Sequence, residues 1–361
     1  MTQREEEILH ILKKNPMISQ QELADRLGIT RSSAAVHITN LIKKGYILGK
    51  GYVVKEDPYV CVIGGSNIDI QGFPRQKLVM GDSNIGTVKI SLGGVGRNIA
   101  ENLTRLGMHT RFISVVGDDP YGQRILEEAR AIGLDMSESL LIKGEATSTY
   151  LSIMDERNDM AVAISHMDSI ERMTAEFIKS KQSLIAHAQL VVCDANLPYG
   201  VLETLLTTNK DSTFFLDPVS CAKAEKVKPL IGRFHTIKPN RVEAEILSGI
   251  PIQVDEDLPR AAAVLHKAGV KRVFISLRAS GVFVSTEHIQ QIFKAKPVKV
   301  FSATGAGDAF MAALALAYCQ GKNDEISTLM AMAAASIALS HQDTINPAMS
   351  LELVNTLVKE Y

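Results

Sequence analysis

From Tyr59 onward the hydrophobic period of the chain switches repeatedly between strand and helix, and this alternation limits the folds open to it. Strand-like runs occur at "YVCVIGG", "RFISVVG", "AQLVVCD", "TFFLD", "FHTIKPN" and "RVFISL". Helical stretches at 97–107, 120–133, 199–207, 241–248 and 258–268 lie between most of them. Such alternation predicts an α/β fold on a largely parallel sheet. Several runs end in a polar residue, Asp194, Asp217 or Asn240. Ligands in open α/β sheets bind beyond the carboxyl ends of the strands, so these ends mark a ligand face. The stretch "TSTYLSIMDERNDMAVAISH" (147–166) alternates on both sides of "ERND" and predicts an antiparallel hairpin. With strands near 68–92 it would form a small sheet outside the main one, a lid. A hairpin with exposed edges also predicts dimerisation.

The first 57 residues have a different pattern. Ile8, Leu9, Ile11 and Leu12 make a helical stripe over 4–15, stopped by "NP". Ser19 with Glu22 reads as a capping box, Leu23 and Leu27 continue that helix, and Gly28 closes it. A further helix opens at Thr30 or Arg31, with Ala34, Ala35, Ile38, Leu41 and Ile42 toward the core. "GYILGKGYVV" then alternates like a hairpin. The order resembles the winged helix-turn-helix of bacterial regulators. Its second helix would present Arg31, Ser32, Ser33, His37 and Asn40 outward, toward phosphates and base edges. Nine Lys and Arg stand against seven Asp and Glu in 1–57, a net of +2. That is weakly basic, so a docking or dimerisation module remains the alternative to DNA binding. "VKEDPY" (54–59) reads as the linker, giving domains at 1–57 and 58–361.

Bulk properties exclude some classes. The net charge of −1 gives the whole molecule no bias toward nucleic acid or membrane. Cys61, Cys193, Cys221 and Cys319 lie far apart and form no C-x-x-C pair, which argues against a zinc site or a disulfide framework. That usage fits a reducing cytoplasm. The start "MTQREEEILHILKK" is too charged for a signal peptide. The apolar runs near 309–319 and 329–339 are too short to span a bilayer and predict buried helices.

The most informative stretch is "KVFSATGAGDAFMAALALAYC" (299–319). It reads as strand ("VKVFS"), turn ("ATGAGD") and helix. Glycine lets backbone N–H groups approach a ligand, and the helix start favours an anion. Asp308 would only repel an anion, but beside an anion hole it suits a base that takes a proton from a hydroxyl attacking phosphorus. The stretch therefore points to phosphoryl transfer to an alcohol. The alternative is a helix capped by Thr304 or Asp308 with glycine in a tight turn. No G-x-x-x-x-G-K-[ST] occurs, and the turn lies too near the C-terminus for a dinucleotide fingerprint.

Three further elements carry alternatives. Gly93, Gly94 and Gly96 precede a helix bearing Asn98, and they let a substrate lie against backbone or serve packing alone. In "GGSNIDI" (64–70), Asn67 and Asp69 suit a vicinal diol or an Asx turn. In "KPNRVEAE" (238–245), Asn240 and Glu243 suit magnesium-bound water near phosphates or a capping pair.

Residues 59–361 resemble the ribokinase-like (PfkB) carbohydrate kinases. The resemblance rests on "GGVGRNIA", "KPNRVEAE" and "ATGAGDAF", in the family's order. It implies a three-layer αβα sandwich with a small β-lid and an ATP- and Mg²⁺-dependent kinase. Asp308 would be the base, and the backbone of Gly305, Ala306 and Gly307 the anion hole. Asn240 and Glu243 would lie near magnesium and phosphate, and Thr304 near phosphate. Asn67, Asp69, Gly93, Gly94 and Asn98 would meet sugar hydroxyls, and Thr149 on the lid would read the base with its neighbours Thr147, Ser148 and Tyr150. "SLRASG" (276–281) resembles the nucleotide loop, contributing Ser276 and Gly281, with Arg278 where glycine is usual. Ser302 stands where the family has an aspartate that supports a monovalent cation, which leaves potassium open. Within the family the likeness is to its pseudouridine kinases, which implies phosphorylation of pseudouridine at its 5′ hydroxyl. The alternatives are another nucleoside or a free sugar as acceptor, or a transcriptional regulator using the kinase fold as a ligand sensor.

Overall fold

The computed structural model describes residues 1–49, 57–157 and 159–360. They fall into two compact units, Met1–Pro58 and Tyr59–Tyr361.

In the first unit, α1 (Gln3–Lys14), α2 (Gln20–Leu27) and α3 (Arg31–Lys43) bury Ile8, Leu12, Leu23, Ile38 and Leu41 against one another. Thr2 and Glu5 form a reciprocal capping box on α1. Glu5, 2% exposed, is also bonded through both oxygens by Lys44 Nζ, which ties α1 to the end of α3. Ser19 accepts from the Glu22 N–H, and Gly28 closes α2 in the left-handed conformation (φ 62°). Arg31 and Ser32 are exposed, while Ser33, His37 and Asn40 are half-buried. Ile42, expected in the core, is 48% exposed. It follows Leu41, which already fills the inward position of that turn. The expected hairpin over 45–54 and the start of the linker lie partly outside the described residues.

The second unit begins with β1 (Val60–Ile63), β2 (Asn67–Pro74), β3 (Gly86–Gly93), α4 (Val95–Arg105), β4 (Thr110–Ile113), β5 (Val115–Gly117) and α5 (Pro120–Ala131). It continues with β6 (Leu140–Ile142), β7 (Thr149–Met154), β8 (Met160–His166), α6 (Ala175–Ser180), α7 (Gln182–His187), β9 (Leu190–Asp194), α8 (Tyr199–Thr208) and β10 (Phe214–Asp217). Then come α9 (Cys221–Val227), β11 (Thr236–Ile237), α10 (Arg241–Ser248), α11 (Leu258–Ala268), β12 (Arg272–Ser276), β13 (Val282–Ser285), β14 (Gln290–Phe293), α12 (Ala306–Cys319), α13 (Asp324–Leu339) and α14 (Leu351–Val358).

The main sheet has the order β14-β13-β12-β11-β10-β9-β1-β4. Its strands are parallel from β4 to β12, and β13 and β14 run antiparallel. Strand residues alternate between two cores because successive side chains point to opposite faces. Val60, Val62 and Val192 pack with α4, α5, α12, α13 and α14. Cys61, Ile63 and Val191 pack with α6 to α11. The result is the expected three-layer arrangement.

A separate four-stranded sheet, β3-β2-β7-β8, forms the expected lid. Its register places Val88, Ile70, Leu151 and Ile164 on one face, and Lys89, Asp69, Tyr150 and Ser165 on the other. Two expectations fail. "RFISVVG" is two strands, β4 and β5, because Val115–Gly117 leaves the main sheet to pair with β6. "VKVFS" is no strand: Val300 and Phe301 are 56% and 58% exposed, and β14 already occupies that end of the sheet.

At the carboxyl end of β9 sits Asp194, fully buried. Its Oδ2 accepts from Gly65 N at 2.9 Å and Gly96 N at 2.7 Å, and its Oδ1 from Asn196 N at 2.8 Å. Gly64 has no room for a Cβ because Asp194 Oδ2 would lie 2.5 Å away, and Gly96 has none because the Gly64 Cα would lie 2.8 Å away. Asp194 therefore joins β9, the turn into β2 and the start of α4. Asp194→Ala removes the partner of two buried donors, Gly65 N and Gly96 N, and of the half-buried Asn196 N. It is expected to cost about 2 kcal/mol or more, since each buried group costs roughly 1–3. Denaturant unfolding checks this, and a loss under about 1 kcal/mol would mean that water replaces the carboxylate.

Candidate active site

Helix α12 starts where Gly305 takes the left-handed conformation (φ 84°). A Cβ there would collide with the carbonyl oxygen of Thr344, so glycine is required. Among the described residues no side chain caps this end. The N–H groups of Ala306, Gly307 and Asp308 belong to the first turn, which lacks intrahelical acceptors. Together with the helix dipole they can hold an anion.

Asp308 lies in that first turn and is 8% exposed. Asn98 Nδ2, from the first turn of α4, donates to its Oδ2 at 2.8 Å. Burial pushes the Asp308 carboxyl up to about 8, with the Asp217 carboxylate adding to the rise. The bond from Asn98 and the charge of Lys238 oppose it.

Lys238 was missed in the sequence, although it opens "KPNRVEAE". Its Nζ lies 3.0 Å from Asp217 Oδ2. Burial disfavours the Lys238 charge, but Asp217, Asp308 and Glu243 outweigh burial and hold its pKa above the ordinary value. A Cβ on Gly307 would come within 2.9 Å of Lys238 Nζ. Gly307 thus lets an ammonium lie against the start of α12. Asp217 Oδ1 accepts from Val219 N at 2.9 Å, and Val219 is held at φ 67°. A β-branched residue in that region stores about 1–3 kcal/mol of strain.

Asn240 and Glu243 form the reciprocal capping box of α10: Glu243 N donates to Asn240 Oδ1, and Asn240 N to Glu243 Oε2, both at 2.9 Å. The capping alternative is therefore present. Glu243 is 5% exposed, and burial raises its pKa. Asp217, Glu243 and Asp308 surround one ammonium, an excess of negative charge that fits a hydrated divalent cation. Magnesium keeps several waters and needs only one or two carboxylates. Ser276 N donates to Pro239 O at 2.9 Å, which sets the end of β12 beside Asn240. Gly281 (φ 110°) closes the following turn, where a Cβ would meet Phe293 O. Arg278 occupies that turn at φ 55°, which explains why glycine suits the position. Thr304 is exposed, and its N–H donates to Ser302 Oγ at 3.2 Å.

On the lid side Asn67 and Asp69 lie in β2, not in a turn. Asn67 Nδ2 donates to Asp69 Oδ1 at 2.6 Å. Gly93 makes room for the Asp69 carboxylate, and Gly94 (φ 100°) would place a Cβ 2.5 Å from Gly65 O. Burial raises the Asp69 pKa, opposed by Asn67 and Arg97. Lys89, on the same face of the lid, pairs with Asp343 at 2.6 Å, next to Thr344 and hence near Gly305. The polar lid face thus looks toward the anion hole. Thr149 pairs with Ile68, so it falls on the opposite face from Asp69. Of the expected lid residues it is the one the register turns away. Thr147 and Ser148 are buried, Thr147 against Asp119 and Ser148 against Ser169.

Comparisons with known proteins agree with this geometry. A model of the pfkB family of carbohydrate kinases matches residues 57–351, and one of winged helix-turn-helix DNA-binding domains matches 1–47. The uncharacterized sugar kinase YeiI of Escherichia coli K12 is 38% identical over 359 residues, covering 99% of each chain. The pseudouridine kinase of the same organism is 39% identical over 308 residues, 85% of this chain and 98% of that one. A crystal structure of a Clostridium perfringens protein described as a sugar kinase superposes with a TM-score of 0.77 at 43% identity, over 84% of this chain and 96% of that one.

A raised Asp308 pKa has a stability consequence. The folded protein keeps a proton that the unfolded chain loses above about pH 4, so stability falls from there to about pH 8 and then levels off. Asp308→Asn has no such dependence. Its Tm is expected to exceed that of the parent protein at pH 8 by roughly 2 °C or more, with the gap closing toward pH 4. A gap that does not vary with pH would rule out Asp308 as the buried acid.

Proposed function

The chain belongs to the pfkB family of carbohydrate kinases, and from that premise we propose that it transfers the γ-phosphoryl group of ATP to the 5′ primary hydroxyl of a ribosyl compound, with pseudouridine as the acceptor. The observation that carries this reading is the uncapped, glycine-bordered start of α12 with Asp308 in its first turn. Asp308 takes the proton of the attacking hydroxyl as its oxygen bonds to the γ-phosphorus. The bond to the bridging oxygen breaks, and ADP leaves. The amides of Gly305, Ala306 and Gly307 and the helix dipole meet the charge on the moving group. Asn240 and Glu243 would hold magnesium, and the ion would supply positive charge to neutralise phosphate there. Ser276, Gly281 and Thr304 line the nucleotide side. Asn67, Asp69, Gly93, Gly94 and Asn98 line the sugar side, and the lid excludes water that would hydrolyse ATP.

Pseudouridine is favoured by the pseudouridine kinase relative and by "DPVSCAK" and "HTIKPNRVEAEILSGI". ADP release is measured with ATP, Mg²⁺ and pseudouridine, uridine, inosine, cytidine, ribose or fructose in turn. Turnover on pseudouridine alone is expected, and turnover on another acceptor would replace the substrate while keeping the chemistry. Asp308→Asn should lower kcat by about 100-fold or more with nucleotide binding near normal. Near-normal kcat in that variant would remove the base from Asp308.

The front unit supports a second role, binding DNA through Arg31, Ser32, Ser33 and His37 at the start of α3. The matched winged helix-turn-helix model favours it. Retardation of the gene's own flanking DNA, weakening steeply with salt, is expected. No retardation at low salt, with or without acceptor, would leave the unit a docking module. A homodimer is also proposed: Val88, Val162 and Ile164, on one face of the lid, are 68%, 50% and 63% exposed. Such apolar patches mark interaction surfaces, and sedimentation at micromolar concentration tests the pairing.

A further inference from the structure

Helix α4 carries a buried chain of hydrogen bonds that ends on Asp308. Arg105 Nε donates to Glu101 Oε1 at 2.8 Å. Arg97 donates to Glu101 through Nη2, and its Nη1 donates to Asn98 Oδ1 at 3.3 Å. Asn98 Nδ2 then donates to Asp308 Oδ2 at 2.8 Å. Arg97, Asn98, Glu101 and Asp308 are 7%, 5%, 5% and 8% exposed, so water does not substitute for these contacts.

The direction of the chain follows from donor chemistry. A guanidinium has five N–H donors and no acceptor, so the Asn98 atom facing Arg97 must be the oxygen. The amide group facing Asp308 is then NH₂, which only donates. A donor facing the carboxyl favours its ionised form. If the amide turned over, its carbonyl would face Asp308 and favour the protonated acid. Asn98 alone has no preference between the two orientations, and Arg97 supplies it. Glu101 in turn fixes the guanidinium, because an i, i+4 pair on one helix face can meet. The other charges acting on Asp308 come from other elements: Asp217 at the end of β10, Lys238 before α10 and Asp194 at the end of β9. None of these touches the Asn98 amide.

We propose that Arg97, held by Glu101, is a positioning residue that sets the orientation of the Asn98 amide and thereby favours the ionised form of Asp308, the form that can accept a proton. This deepens the reading of Asp308 as the base and rests on it for its kinetic consequence. The titration of Asp308 does not require turnover.

Removing Arg97 alone leaves the buried Glu101 carboxylate held by Arg105 but no longer by Arg97, and the loss of one partner of a buried pair endangers the fold. The test therefore uses the full chain with Arg97→Met and Glu101→Met together, since replacing both partners of a buried pair with apolar residues is often tolerated. The protein is labelled with ¹³C at aspartate carboxyls, and the Asp308 signal is identified by its loss in Asp308→Asn. The Asp308 midpoint is expected to rise by about one pH unit or more in the double variant, as the opposing hydrogen bond is lost. The acid limb of kcat/KM should move by the same amount, a loss of about tenfold at fixed pH below the midpoint, with KM for ATP within about twofold. Arg97→Lys is the second variant. A single ammonium lacks the planar fork that reaches both oxygens, so a smaller rise in the same direction is expected. An unchanged Asp308 midpoint in either folded variant overturns the proposal. If the parent protein phosphorylates no acceptor, the kinase reading fails, and the carboxyl titration still decides the role of Arg97.

Discussion

One buried carboxylate, Asp194, holds together the three segments on which the site is built. It gathers N–H groups from the end of β1's turn, from the start of α4 and from its own loop after β9. A side chain at Gly64 would occupy the carboxylate's space, and one at Gly96 would meet the Gly64 backbone beside it. Through Gly96 it fixes α4, and through α4 the amide of Asn98 that meets Asp308. Through Gly65 it fixes the root of β2, and with it Asn67 and Asp69. The main sheet thus delivers its geometry to the site through hydrogen bonds to one carboxyl group as well as through the apolar packing of α4 and α12.

Around the start of α12 the balance is reversed: the charges there are poorly neutralised. Three carboxyls, Asp217, Glu243 and Asp308, share the ammonium of Lys238. Burial holds both Glu243 and Asp308 above the usual carboxylate range. Such an arrangement costs folding free energy in the empty protein, and strained or frustrated polar clusters of this kind occur where a ligand completes the charge balance. The strained backbone at Val219 lies beside the same cluster, and that at Arg278 in the turn after β12.

The architecture was legible because period-2 runs and amphipathic stretches depend on local sequence alone. The layers, the lid hairpin and the helix beginning near Asp308 followed from that pattern. What the pattern lacks is information about neighbours. "VKVFS" has strand composition, but no sheet edge is available to it. Asp194 and Asp217 both end strands, yet one accepts backbone N–H groups from three segments and the other pairs with Lys238. Arg97 and Lys238 escaped notice because a charged residue in a helix or turn ordinarily reads as solvated, and their burial is set by distant parts of the chain. The alternatives left open for Asn240 and Glu243 were not exclusive: they cap α10 and still lie in the acidic cluster.

The lid is continuous in sequence with the site through two adjacent strands, β2 and β3. Strand β2 begins at Asn67, and β3 ends at Gly93, one residue before the N-cap of α4. Gly94 is pressed against Gly65 there, so the two roots cannot part without disturbing each other. The tip between β2 and β3 is exposed and free of such contacts. Tolerance to substitution is therefore divided by location: the mid-strand positions Gln71, Ser91 and Tyr150, on the same face as Asp69, are half-buried and leave room for change, whereas the root tolerates almost no added atoms.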